Sequence, residues 1–221
     1  MKRIALGVVL AATAAWADEA KPAEEASPAT ITKFTLEDTD PWQFAFYLNG
    51  YMLLGEAGYL VPMVFADKGP IHLEARYNYE DFNTASLYFG WGFRFGDEKN
   101  FVRLVPMFGG AVGNSNGIAP GLEIEANFWR FTYWFEGEYF FNFTDSTSSF
   151  FFTWSELNFR IVNWLSVGGT FQRMRLAKTD RVLDWGPMVG VNVGGYALNF
   201  YFYGLWTAER WGLLTVSLPF Y

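Results

Sequence analysis

The side chains equipped for chemistry are one histidine and a set of glutamates and arginines that recur at every second position. His72, Glu74 and Arg76 alternate with Ile71, Leu73, Ala75 and Tyr77. Glu123 and Glu125 alternate with Leu122, Ile124 and Ala126, and Glu156 and Arg160 with Leu157, Phe159 and Ile161. Glu136, Glu138, Arg94, Arg103 and Arg130 lie in similar surroundings. Residues i and i+2 of a strand share a face, about 6–7 Å apart. If their two strands align, Glu123/Glu125 and Glu136/Glu138 bring four carboxylates together. That suggests a cation site or a glycosidase-like pair, although a Ca²⁺ site takes six to eight oxygens. Pairing with Arg103, Arg130 and Arg160 is the simpler use of the same charges, because opposite charges on facing strands lower the cost of desolvation.

Nucleophilic catalysis needs a nucleophile beside a base. The residue two along from His72 is Glu74, not serine, and Ser86 belongs near the opposite end of the neighbouring run. No enzyme is expected. Cysteine is absent, so neither a disulfide nor a thiolate metal site can form. Glycines 109, 110, 113, 190, 194 and 195 match no phosphate-loop spacing. No cofactor and no metal are expected.

The elements that carry these residues have period two throughout. A strand separates the apolar and polar positions of 71–79 cleanly, whereas a helix mixes them. About twelve such runs follow one another: 42–54, 59–66, 70–79, 85–95, 101–112, 118–128, 130–142, 150–161, 165–176, 184–194, 196–206 and 211–221. Ten remain if the first two are not strands. Turn-forming stretches separate them, among them Asn114-Ser-Asn-Gly and Gly194-Gly195. The run lengths suit tilted strands that cross a bilayer. No apolar run is long enough for a membrane-spanning helix.

Composition decides which face is outside. The chain has 24 Phe, 12 Tyr and 10 Trp, with 18% charged residues. The polar face carries roughly a dozen charges, too many for the dry core of a soluble sandwich. The aromatic face therefore points outward. Aromatics gather at strand ends in two bands: Trp42, Phe128, Trp129, Trp164, Tyr196 and Phe220 at one level, and Tyr79, Tyr139, Phe150, Trp185, Trp206 and Trp211 at the other. Such girdles mark a transmembrane barrel. The tightest links, at Trp129, at Val162-Asn-Trp164 and at Gly194-Gly195, alternate with longer ones, as short periplasmic turns and longer external loops do.

Two segments precede the barrel. Lys2 and Arg3, the apolar run Ile4 to Ala14 and Ala15-Trp16-Ala17 form a signal peptide over 1–17. Residues 18–41 are acidic and rich in Ala and Pro, a solvated periplasmic leader. The formal net charge of −7 excludes nucleic acid as a partner.

On the dyad runs, the aromatic bands and the terminal strand Leu213-Leu-Thr-Val-Ser-Leu-Pro-Phe-Tyr221, the chain resembles bacterial outer-membrane β-barrel proteins. The resemblance implies a fold of all-β class, a transmembrane antiparallel up-and-down β-barrel. It also implies a bacterial outer-membrane location with periplasmic termini, lipid contact, and recognition of strand 211–221 by the barrel-assembly machinery. The alternation leads to Phe220, and Tyr221 is one residue beyond the usual aromatic end.

The expected lumen lining is Glu74, Arg76, Arg94, Arg103, Glu123, Glu125, Arg130, Glu136, Glu138, Glu156 and Arg160. Arg94, Arg103, Arg130 and Arg160 would form a ring low in the barrel, beneath a belt of Glu. With no long loop to fold inward, this arrangement predicts a narrow porin-like channel for small solutes. The alternative is a closed barrel that serves the envelope structurally or binds a partner.

Overall fold

The computed structural model describes residues 41–53, 55, 57–176, 182–205 and 210–220. The signal peptide and almost all of the leader lie outside them. Alternating apolar and polar residues build thirteen antiparallel strands: β1 (Gln43–Leu53), β2 (Tyr59–Lys68), β3 (Ile71–Tyr77), β4 (Thr84–Trp91), β5 (Phe93–Gly96), β6 (Phe101–Gly113), β7 (Gly117–Phe128), β8 (Phe131–Asn142), β9 (Phe150–Val162), β10 (Leu165–Leu176), β11 (Val182–Val193), β12 (Tyr196–Tyr203) and β13 (Trp211–Phe220). β4 and β5 both pair with β6 and are one crossing interrupted at Gly92, whose N–H donates to Pro70. The chain thus crosses twelve times.

Each strand pairs with the next, and β1 pairs with β13 from Phe44↔Phe220 to Leu53↔Trp211. The sheet closes into a barrel, so each strand but the short β5 has a paired neighbour on both sides. An even number of crossings puts Gln43 and Phe220 at one end. Tight turns join strands at that end. Gly194 and Gly195 both take positive φ (58° and 88°), as a two-residue hairpin turn demands. Trp129 also takes positive φ, beside Arg130.

The polarity is inside out. Leu60, Leu73, Leu87, Phe89, Phe108, Leu157 and Phe171 point outward and are exposed, whereas His72, Glu74, Arg76, Glu123 and Glu136 point inward and are buried. No soluble surface sustains so continuous an apolar band, and lipid is its natural solvent. At the termini end, Trp42, Phe128, Trp129, Trp164 and Tyr196 form the expected exposed band.

The band at the other end is composed differently from the expectation. Phe82, Phe141, Phe143 and Trp185 are exposed there. Tyr79 and Phe150 are buried, and Trp211 stacks on Tyr203 with ring centroids 4.0 Å apart. Phe150 and Trp211 fall on the inward parity of their strands. Tyr79 is carried inward by Asn78, whose φ of 59° reverses the chain after β3. Trp206 lies outside the described residues. On β10, Gln172 follows the inward phase of Thr170. The register irregularity lies at Leu165/Ser166, and Arg173 and Arg175 occupy the outward parity.

Candidate functional site

The inward face divides into two halves. β2, β3, β6, β7, β8 and β9 contribute the charges, and β4 between them contributes Ser86 and Tyr88. β1, β10, β12 and β13 contribute Tyr47, Asn49, Tyr51, Thr170, Gln172, Asn199, Tyr201, Tyr203, Thr215 and Ser217 instead. Thr215 Oγ1 donates to Asn49 Oδ1 at 2.7 Å across the β1–β13 seam. Trp154 on β9 packs edge-on against Tyr201 and Tyr203 and joins the two halves.

Arg76 organises the charged half. Its guanidinium donates to Glu74 on its own strand (Nε–Oε2 2.6 Å) and lies 3.0 Å from Glu136 and 3.2 Å from Glu138 on β8. The same group is sandwiched between the rings of Tyr79 and Tyr88, 4.1 Å from each centroid. Tyr79 donates its hydroxyl to Glu136. The Tyr88 hydroxyl lies 2.9 Å from Glu80 and 3.0 Å from Glu138. Every member is buried, so the carboxylates depend on these donors rather than on water.

A second group lies nearer the termini end. His72 Nδ1 is 2.8 Å from Asp67 and Nε2 is 2.8 Å from Glu74. Asp67 also pairs with Arg103, which faces Glu125 in the β6–β7 register. Two glycines make room for these groups. A Cβ on Gly90 would lie 2.7 Å from Val105 and 3.3 Å from the His72 ring. One on Gly109 would enter the ring of Tyr88 at 2.4–2.6 Å. Glu156 is held differently, accepting from Trp154 Nε1 at 2.8 Å and from Asn158 at 3.4 Å.

The structure buries Glu74, Arg76, Arg103, Glu123, Glu125, Glu136, Glu138 and Glu156 inside the barrel. The tight turn at Trp129 aligns β7 and β8 so that Glu123 faces Glu136 directly. The low ring of arginines is different. Arg130 is exposed in the β7–β8 turn and donates to the Ile161 carbonyl at 3.0 Å. The turn consumes Trp129 and Arg130, and the inward parity resumes at Thr132. Arg160 donates to the Trp129 carbonyl at 3.2 Å, and Arg94 lies over the Phe101 ring, 3.4 Å from centroid to guanidinium. Arg130 and Arg160 sit at the rim, Arg94 is half-buried, and Arg103 is fully buried in its pair with Asp67.

Three participants were not among the expected residues: Asp67, Tyr79 and Glu80. Asp67 continues the inward parity of Val61, Met63 and Phe65, which extends β2 into a stretch that reads as a turn. Tyr79 and Glu80 belong to residues 78–83, a short loop that does fold inward. Asn78 and Asn83 both take positive φ (59° and 52°), and Asn78 Oδ1 accepts from the Asn83 N–H at 2.8 Å. Asparagine tolerates that conformation best among residues with a side chain, so the Asn pair was the available signal.

No family model and no curated protein sequence matches the chain. In three dimensions it is similar to the KdgM porin, with a TM-score of 0.57 and 10% identity over 80% of this chain and 99% of that one. The KdgM porin in complex with disordered oligogalacturonate gives the same values. The chain has a porin-type barrel fold. Omp33 of Acinetobacter baumannii matches at a TM-score of 0.45, with 11% identity over 82% of this chain and 98% of that one.

Proposed function

We propose that the protein is an outer-membrane porin-like channel for small solutes, with both termini in the periplasm. The observation that carries the reading is a closed barrel, apolar outside and charged inside, that shares its fold with KdgM over nearly that porin's whole length. Its constriction is the charged half: Glu74, Glu136 and Glu138 around Arg76, with His72, Glu123 and Glu125 beside Asp67–Arg103. Acids outnumber bases there, which favours cations over anions, as acidic rings do in other pores. The tight turns at the termini end support a periplasmic placement of that end. The outward band supports contact with outer-membrane lipid. β13, the closing strand, is the segment that the barrel-assembly machinery would engage.

One observation favours a second reading, a closed barrel with a structural or partner-binding role. Glu136, Trp154, Tyr201 and Leu213 are each 0% exposed, so side chains fill the interior around them. Single-channel conductance of the barrel in planar bilayers separates the two. A channel gives discrete steps whose cation preference falls in Glu123→Gln/Glu136→Gln and rises in Arg103→Gln, with Arg130→Gln unchanged as the rim control. Silence from a folded, heat-modifiable barrel leaves the closed reading.

A further inference from the structure

His72, Glu74 and Glu123 each present one donor atom, and the three lie within 4.8 Å of one another in the buried lumen. We propose that they bind a single divalent transition-metal cation, with zinc the best match to the donor set. His72 Nε2 lies 2.8 Å from Glu74 Oε1 and 3.5 Å from Glu123 Oε2. Donors about 2.0–2.1 Å from a tetrahedral zinc lie about 3.3 Å apart, so these separations bracket the required edge. One imidazole and two carboxylates suit zinc and its neighbours, whereas calcium asks for six to eight oxygens.

The surroundings already orient each donor. Asp67 holds His72 Nδ1 at 2.8 Å, the carboxylate–histidine arrangement that typically backs a metal ligand. Arg76 takes Oε2 of Glu74 and leaves Oε1 facing His72. Gly90 leaves the space that the imidazole fills. Glu123 supplies an independent sign. It is 1% exposed, neither carboxylate oxygen accepts a well-formed hydrogen bond, and its cationic neighbour is His72 Nε2 at 3.5 Å. A buried carboxylate without a donor is costly, and a cation between it and Glu74 removes that cost. Binding displaces the proton between His72 Nε2 and Glu74, which leaves to solvent as the neutral imidazole becomes a ligand. The site links β3 to β7 whether or not the lumen conducts, so it stands or falls apart from the channel reading.

The test folds the full chain in micelles with zinc present, removes free metal by desalting, and counts bound zinc by elemental mass spectrometry. One equivalent per folded chain is expected in the wild type. Glu123→Gln removes a charge that has no hydrogen bond, so it should fold as well as the wild type while retaining at least tenfold less zinc. His72→Gln should retain none. A folded wild type that keeps no zinc overturns the proposal, and means that a shared proton rather than a cation holds Glu74 and Glu123 together. Equal retention by wild type and both variants also overturns it, because the metal is then bound elsewhere.

Discussion

Arg76 on β3 brings Nη1 within 3.2 Å of the Glu138 carboxylate on β8, across the lumen and 62 residues along the chain. No backbone ladder joins these two strands; the bridge is made by side chains alone. One guanidinium therefore ties together two strands four crossings apart while it neutralises acids from both.

Arg76→Met leaves Glu74, Glu136 and Glu138 buried without that counter-charge. Breaking a buried pair from one side costs about 3–5 kcal/mol. The urea midpoint for unfolding from micelles should fall accordingly, and Arg76→Met/Glu138→Gln should recover part of the loss. Arg76→Lys should fall between, because an ammonium keeps the charge but not the planar fork that reaches three carboxylates. An unchanged midpoint in Arg76→Met would show that the acids do not depend on it.

Gly109 is the floor on which Tyr88 lies. A methyl group there meets the ring at 2.4–2.6 Å, including Cγ near its root, so the ring cannot simply pivot away. Gly109→Ala should cost about 1–3 kcal/mol by overpacking. Displaced Tyr88 also loses its contacts with Glu80 and Glu138. Gly110→Ala is the control, since a Cβ there meets only the Gly117 carbonyl at 3.8 Å. Equal midpoints for the two variants would contradict this account.

Fluorescence quenching tests the inside-out polarity. Trp129, Trp164 and Trp185 are 57–62% exposed at the two ends of the outer surface, whereas Trp134 and Trp154 are inside. In variants that keep one tryptophan each, brominated phospholipids should quench the first three strongly. Trp134 and Trp154 should be nearly untouched. Quenching of Trp154 comparable to that of Trp164 would refute the assigned faces.

The turn after β5 carries a pH signature outside the membrane. The Asp97 carboxylate accepts from the backbone N–H groups of Asn100 (2.7 Å) and Lys99 (2.8 Å), and these bonds hold its carboxyl below the ordinary 3.8. A depressed carboxyl stabilises the folded turn above its unfolded value, and that contribution is lost as pH falls through the folded one. An NMR titration should therefore place the Asp97 midpoint below 3.8. Asp97→Ala should speed hydrogen exchange at Lys99 and Asn100, and an ordinary midpoint with unaltered exchange would count against the turn as described.

Much of the barrel was legible in the chain itself. Period-two alternation states which face each residue takes, and it sets Glu74, Glu123, Glu136 and Glu156 on the face opposite Leu73, Leu122, Phe135 and Leu157. Tight turns state which strands are neighbours, and the turn at Trp129 sets Glu123 against Glu136. Alternation failed only where a turn interrupted it. Arg130 went to the rim because the turn used it, and Tyr79 went inside because Asn78 reversed the chain. The partners across the lumen were decided by tertiary structure alone. Whether Arg76 meets Glu138, or His72 meets Glu123, depends on the heights of β3, β7 and β8. Those heights follow from the stagger accumulated strand by strand and from the curvature that closes the barrel. A local period encodes a face, but it carries no record of height between strands that never touch.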